Sequence, residues 1–300
     1  MPDSETHKIP SFKVWLLAAR PKTLPAGSVP VVVAGAMAYG AGKFHLLSWL
    51  AALFGSVMIQ IGTNYANDLF DCKKNTDRAD RIGPTRVTQA GLATPHQTAV
   101  ATAIVFSLAT IAGIYLVYRG GWPIVIIGAA SILFGILYTA GPLALGYIGL
   151  ADLFVLIFFG PVALGGAYYV QTLEISFPII LAGIPFGLIS TAILTVNNLR
   201  DIDSDRRGGK KTLAVRFGRR FAQYEYCVML IAAAVVPVVM TAASMHDAYI
   251  LLSCGYLLFA LPSIKTAFMQ TDGEMLNRAL ASTGRLLMIY GLLFIIGWLL

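Results

Sequence analysis

An all-α integral membrane fold, with nine transmembrane helices packed around a central cavity, is the fold class that this 300-residue sequence predicts. Three observations carry it. The chain is 57% hydrophobic and only 12% charged, whereas soluble domains run roughly 45–50% apolar and ~25% charged. The excess is gathered into long runs and not spread evenly. The basic residues then sort by side: if nine runs span, 20 of the 22 Lys and Arg fall on one face of the membrane and only Lys43 and Arg119 on the other. That is the positive-inside pattern.

A bilayer-crossing helix needs about 20 mostly apolar residues. The runs lie at about 23–40, 46–67, 96–118, 122–138, 149–170, 177–199, 222–243, 247–268 and 284–300. Pro25 and Pro30 break the first run, which is tolerated because neighbouring helices re-satisfy the freed backbone groups. The fourth run is short, so a count of eight also fits the pattern. Nine spans put the N-terminus in the cytoplasm and the C-terminus outside. The organisation is one intramembrane domain over residues 1–300, with 1–12 as a flexible cytoplasmic tail.

The net charge of +7 does not indicate nucleic-acid binding, because the aromatic residues lie in the spans and not among the basic residues. Cys72, Cys227 and Cys254 share no metal or disulfide spacing and read as reduced, structural residues. Four scattered histidines give no zinc site. A secretory signal is disfavoured by the long polar lead, the two prolines and the eight further spans.

Chemistry is concentrated in two polar clusters 130 positions apart, each at the end of an apolar run. The first is N-Y-A-N-D-L-F-D, with Asn64, Asn67, Asp68 and Asp71, followed by Asp77. The second is N-N-L-R-D-I-D-S-D, with Asn197, Asn198, Asp201, Asp203 and Asp205. Acids at a membrane boundary are costly and mark function by default. Residues i, i+3, i+4 and i+7 share a helical face. Asn64, Asn67, Asp68 and Asp71 fit that spacing, as do Asn197 or Asn198 with Asp201 and Asp205, while Asp203 points elsewhere. Two facing oxygen stripes suit Mg2+, which prefers hard ligands and is usually completed by substrate phosphates. The simpler reading, solvated helix ends paired with nearby Arg and Lys, accommodates one cluster better than two of matching spacing. The acids also sit at helix C-termini, where the macrodipole disfavours negative charge.

Both clusters run into basic loops, roughly 72–93 and 200–220. Lys73, Lys74, Arg78, Arg81 and Arg86 follow the first, and Arg206, Arg207, Lys210 and Lys211 the second. Arg binds phosphate as a bidentate fork and Lys as a point charge. Lys73, Arg78, Arg81, Lys210 and Lys211 are the candidate diphosphate ligands, with the others setting topology against anionic lipid.

N-D-x-x-D ending one span, and D-x-x-x-D followed by G-G-K-K-T-L-A-V-R-F-G ending another, resemble the UbiA superfamily of intramembrane polyprenyltransferases. The likeness covers nearly the whole chain. Residues 19–26 (A-R-P-K-T-L-P-A), 81–92 (R-I-G-P-T-R-V-T-Q-A-G-L) and 137–143 (L-Y-T-A-G-P-L) resemble the 1,4-dihydroxy-2-naphthoate branch, which serves menaquinone synthesis. Position 75 is Asn and the next acid is Asp77, a departure from the N-D-x-x-D-x-x-x-D of the 4-hydroxybenzoate branch. It leaves open whether Asn75, Asp77 or neither meets a metal.

The resemblance implies an Mg2+-dependent enzyme of the bacterial inner membrane. It would take a polyprenyl diphosphate and an aromatic acceptor, with Asp68, Asp71, Asp201 and Asp205 catalytic. Lys22 would pair with the acceptor carboxylate and Tyr138 would line the cavity near the prenyl cation. No obligate protein partner is implied. The alternatives are another aromatic acceptor on the same fold, and a cation-coupled transporter. Transporter sites lie nearer the bilayer midplane on broken helices.

Overall fold

The computed structural model describes residues 11–74, 83, 85–142 and 144–300, and among these there are helices and turns but no strand. Helix α1 (Ser11–Ala19) and a 3-10 turn (Pro21–Thr23) lead into α2 (Leu24–Gly40). There follow α3 (Leu46–Lys73), α4 (Pro95–Gly120), α5 (Trp122–Leu137) and the one-turn α6 (Leu145–Ile148). Next, α7 (Ala151–Ile157) continues through a π turn (Phe158–Val162) into α8 (Ala163–Thr172). The remaining helices are α9 (Phe177–Arg207), α10 (Leu213–Ala242), α11 (Tyr256–Met269) after a 3-10 segment, and α12 (Gly273–Leu299).

Eight of these units are long and apolar enough to cross a membrane, and α5, at 16 residues, is shorter. Among the described residues the count is therefore eight helices of spanning length plus one short apolar helix. Two further boundaries differ from the sequence reading. Ser11 and Phe12, assigned to a tail, are helical in α1. The helices carrying the polar clusters run on past the apolar runs, to Lys73 and Arg207, so both clusters are themselves helical.

Local chemistry sets the helix starts. Thr94 and Gln97 form a capping box at α4. Thr212 accepts from the Val215 N–H at α10, and Asp272 from the Met275 N–H at α12. Gly218, at φ 85, breaks the first turn of α10 from the rest. Only a residue without Cβ enters that region at no steric cost.

The packing centre is α9. Phe186 meets the rings of Tyr290 and Phe294 edge-on at 5.2 and 5.6 Å, within a core drawn from α2, α8, α9, α10 and α12. On its other side α9 meets α7 and the π turn at backbone distance: a Cβ on Gly187 would lie 2.1 Å from the Leu156 carbonyl oxygen. Small residues permit this approach, the usual basis of helix association where lipid removes the hydrophobic drive.

Candidate active site

The helices enclose a cavity of about 900 Å3. Its upper walls are apolar, from Ile114 and Val117 of α4, Ile127 and Leu133 of α5, and Phe154, Phe158 and Val162 along α7 and the π turn. Polar groups gather at one end, where α3 and α9 finish. Asn64, Asn67 and Asp71 face it from α3, and Asn197, Asn198, Asp201 and Asp205 from α9. Arg20, Arg86, Tyr138, Tyr147 and Lys210 complete that end.

Each cavity carboxylate has a cation beside it. The Arg86 guanidinium bonds Asp71 Oδ2, and the Tyr147 hydroxyl donates to Asp71 Oδ1 at 2.7 Å. Arg200 forks onto both oxygens of Asp201 at 2.7 and 2.6 Å, and also donates to Asn197 Oδ1 at 2.7 Å. Lys210 Nζ lies 3.2 Å from Asp205 Oδ1. Two amides are partly engaged: Asn64 donates to the Ala19 carbonyl and Thr23 hydroxyl, and Asn67 accepts from Thr139.

Several expected residues lie elsewhere. Asp68 is buried but does not line the cavity; its Oδ2 accepts the Val87 N–H at 2.8 Å and fixes the 85–93 segment. The reason is angular, because Asn67 and Asp68 are about 100° apart around the helix, so one stripe edge turns from the cavity when the other faces it. Lys22 is exposed, outside the cavity. Pro21 starts a 3-10 turn there, and Arg20, held at φ 51 before it, is the cation that enters. Lys73 is exposed against the Phe70 ring, and Lys211 is exposed and outside the cavity lining, its backbone N–H donating to the Tyr147 carbonyl. Asp203 is 80% exposed, off the stripe. Asn75, Asp77, Arg78 and Arg81 lie outside the described residues.

Arg20, Arg200 and Tyr147, none of them a candidate from the sequence, also stand at this end. For Arg20 a signal existed: a basic residue directly before proline is pushed out of helix. Arg200 sits inside the second cluster. Tyr147 offers no periodic signal.

The donor set fits Mg2+ in one particular way. Among the described residues no three Asp, Glu, His or Cys side chains form a ready-made metal cage. The cavity-facing groups are carboxylate and amide oxygens on two separate helices, hard ligands that leave most of a coordination shell to phosphate and water.

The UbiA prenyltransferase family model matches residues 28–288. The 1,4-dihydroxy-2-naphthoate octaprenyltransferase of Escherichia coli (strain K12) is 35% identical, covering 97% of this chain and 96% of that protein. The protein of the same name from Mycobacterium tuberculosis is 38% identical over 78% of this chain and 80% of its own length. A UbiA homologue from Archaeoglobus fulgidus bound to DMAPP and Mg2+ superposes with a TM-score of 0.65 at 12% identity, covering 93% of this chain and 98% of that one. At that identity the likeness concerns the fold.

Proposed function

The chain belongs to the UbiA prenyltransferase family, and on that premise we propose that it transfers a polyprenyl group from polyprenyl diphosphate to 1,4-dihydroxy-2-naphthoate. Diphosphate and carbon dioxide leave, and the product has the demethylmenaquinone skeleton. The observation that carries this reading is the cavity itself: two helices bring acid–amide stripes to one end of a pocket whose other walls are apolar. A charged head group with a long hydrocarbon tail matches that division. The curated relatives at 33–38% identity support the naphthoate acceptor.

Mg2+, when bound, would neutralise the diphosphate and stabilise the charge that develops as the prenyl carbon–oxygen bond breaks. Asp71, Asp201 and Asp205, with Asn67, Asn197 and Asn198, would hold it. Lys210 and Arg86 sit beside those carboxylates and would share the diphosphate oxygens. Asp68 acts behind them by fixing the segment that carries Arg86. The apolar walls exclude water, which would otherwise capture the allylic cation, and Tyr138 presents its ring at the boundary of the two zones. The electron-rich acceptor ring attacks the first prenyl carbon. As the carboxylate departs as carbon dioxide, the electron pair of its carbon–carbon bond stays with the ring, so the exchange needs no net proton. Arg20 lines the same end of the cavity, in the turn whose Ala19 carbonyl and Thr23 hydroxyl accept from Asn64, and takes the place of Lys22 as the partner for the acceptor carboxylate.

The protein is a multi-pass membrane protein. We assign the acid-bearing end to the cytoplasmic face of a bacterial inner membrane, on the asymmetry of basic residues. The deciding assay supplies membranes containing the protein with a polyprenyl diphosphate and a panel of acceptors, with products identified by mass. A prenylated naphthol lacking the carboxyl group is expected. Turnover of 4-hydroxybenzoate but not of the naphthoate would move the chain to the sister branch.

A further inference from the structure

The segment between α5 and α7 lines the polar end of the cavity and is tied to the end of α3 on one side and to the α9–α10 turn and α10 on the other. On the α3 side, Lys74 Nζ donates to the Thr139 and Gly141 carbonyls at 2.8 and 3.0 Å. On the other side, the Lys211 N–H donates to the Tyr147 carbonyl at 2.8 Å and Arg216 to the Ile148 carbonyl at 2.7 Å. Tyr147, in α6, links the two sides of this segment. Its hydroxyl is on Asp71, and its ring lies 4.3 Å from Lys74 Nζ and 5.2 Å from Lys210 Nζ. Lys210 in turn reaches Asp205. One side chain therefore touches the carboxylate of one half and, through a single lysine, the carboxylate of the other.

We propose that Tyr147 is a positioning residue that sets Asp71 for Mg2+ with its hydroxyl and Lys210 for diphosphate with its ring. The inference rests on the metal–diphosphate reading above and adds a residue to it. A carboxylate oxygen has two lone pairs, so Asp71 Oδ1 keeps the phenol bond while ligating a cation. Partners of this kind orient a ligating carboxylate, and losing them costs about 10–100-fold in metal affinity or activity. The ring does a separate job. A cation over an aromatic face is held by about 0.5–2 kcal/mol. Here the ring carries two ammonium groups, those of Lys74 and Lys210, and like charges brought together in this way repel each other. An anion of high charge density would relieve that repulsion.

Two variants separate the jobs. Tyr147→Phe keeps the ring and removes the hydroxyl; Tyr147→Leu removes both. For Tyr147→Phe the Mg2+ concentration for half-maximal rate should rise about 10–100-fold, with kcat at saturating Mg2+ and KM for prenyl diphosphate unchanged. For Tyr147→Leu the KM for prenyl diphosphate should rise as well, by about 2- to 30-fold. Titration calorimetry of the purified protein, with inorganic diphosphate and Mg2+ as probes, should show the same split without turnover. A Tyr147→Phe titration that overlays wild type overturns the proposal. So does an equal loss of kcat in both variants with no change in Mg2+ dependence, which is what a merely structural role would give. If wild type transfers no prenyl group, the functional reading falls, and the calorimetric arm still decides whether Tyr147 sets the site.

Discussion

Replacing Arg86 by Met takes the cation from a carboxylate that is only 1% exposed. The side chains of Arg86 and Asp71 are 8% and 2% exposed, so solvent does not screen the pair. Removing one partner of a buried ion pair costs about 3–5 kcal/mol, because the other charge stays buried. The Tyr147 hydroxyl still donates to Asp71 in the variant, which points to the lower end, about 3 kcal/mol. At roughly 2–4 °C per kcal/mol for a large domain, the melting temperature should fall on the order of 10 °C. The informative measurement is the melting curve of the purified protein in detergent, with and without Mg2+ and inorganic diphosphate. A divalent cation supplies the charge that Arg86 gave, so its stabilisation of Arg86→Met should exceed its stabilisation of wild type by several degrees, on the same scale. An unchanged melting temperature would refute the buried-pair argument. An Mg2+ shift identical in both proteins would refute the assignment of Asp71 to the metal.

Asp71→Ala, Asp201→Ala and Asp205→Ala should each abolish prenyl transfer in membranes that still contain folded protein, whereas Asp203→Ala, at an exposed position, should stay close to wild type. Asp68→Ala should weaken activity less than the cavity acids do and speed proteolysis of the 85–93 segment; a total loss equal to Asp71→Ala would place Asp68 on the metal. Arg20→Ala should raise the KM for the acceptor at least tenfold, about 1.4 kcal/mol, while Lys22→Ala leaves it within twofold; the reverse order would restore Lys22. Gly187→Val should prevent accumulation of folded protein, because its Cβ would meet the Leu156 carbonyl at 2.1 Å; normal yield and melting would show that α7 and α9 separate readily. Thiol labelling of Lys211→Cys, in a chain lacking Cys72, Cys227 and Cys254, should occur only from the cytoplasmic side, and external labelling would invert the topology.

The spans and the two polar clusters were legible because each leaves a periodic signature. Long apolar runs report lipid contact, and the spacing of Asn64, Asn67 and Asp71 placed them on one face before any coordinates. Asp68 shares that spacing and yet lies off the cavity, since a stripe about 100° wide is broader than the face a cavity can use. Choosing between Arg20 and Lys22 needed the geometry of a turn, which depends on Pro21 and on the bonds from Asn64 to Ala19 and Thr23. Tyr147 was illegible for a different reason. Its role comes from where the α5–α7 segment lies against the bundle, and a single aromatic residue in the one-turn α6 carries no information about that.

The short α5 has a consequence for the lipid itself. Sixteen residues make a helix about 24 Å long, against about 30 Å of hydrocarbon in a typical bilayer. A span shorter than the membrane draws the two leaflets together around it. Residues of α5 also line the cavity, so on the prenyl-transfer reading proposed above such a dimple would lie beside the pocket. Head groups there lie several ångströms closer to the midplane, on the same mismatch scale, which lowers the barrier for a charged head to slide in beneath the surface. On that reading membrane thickness would be a variable of substrate entry, set by the host's lipids and not by any side chain at the site.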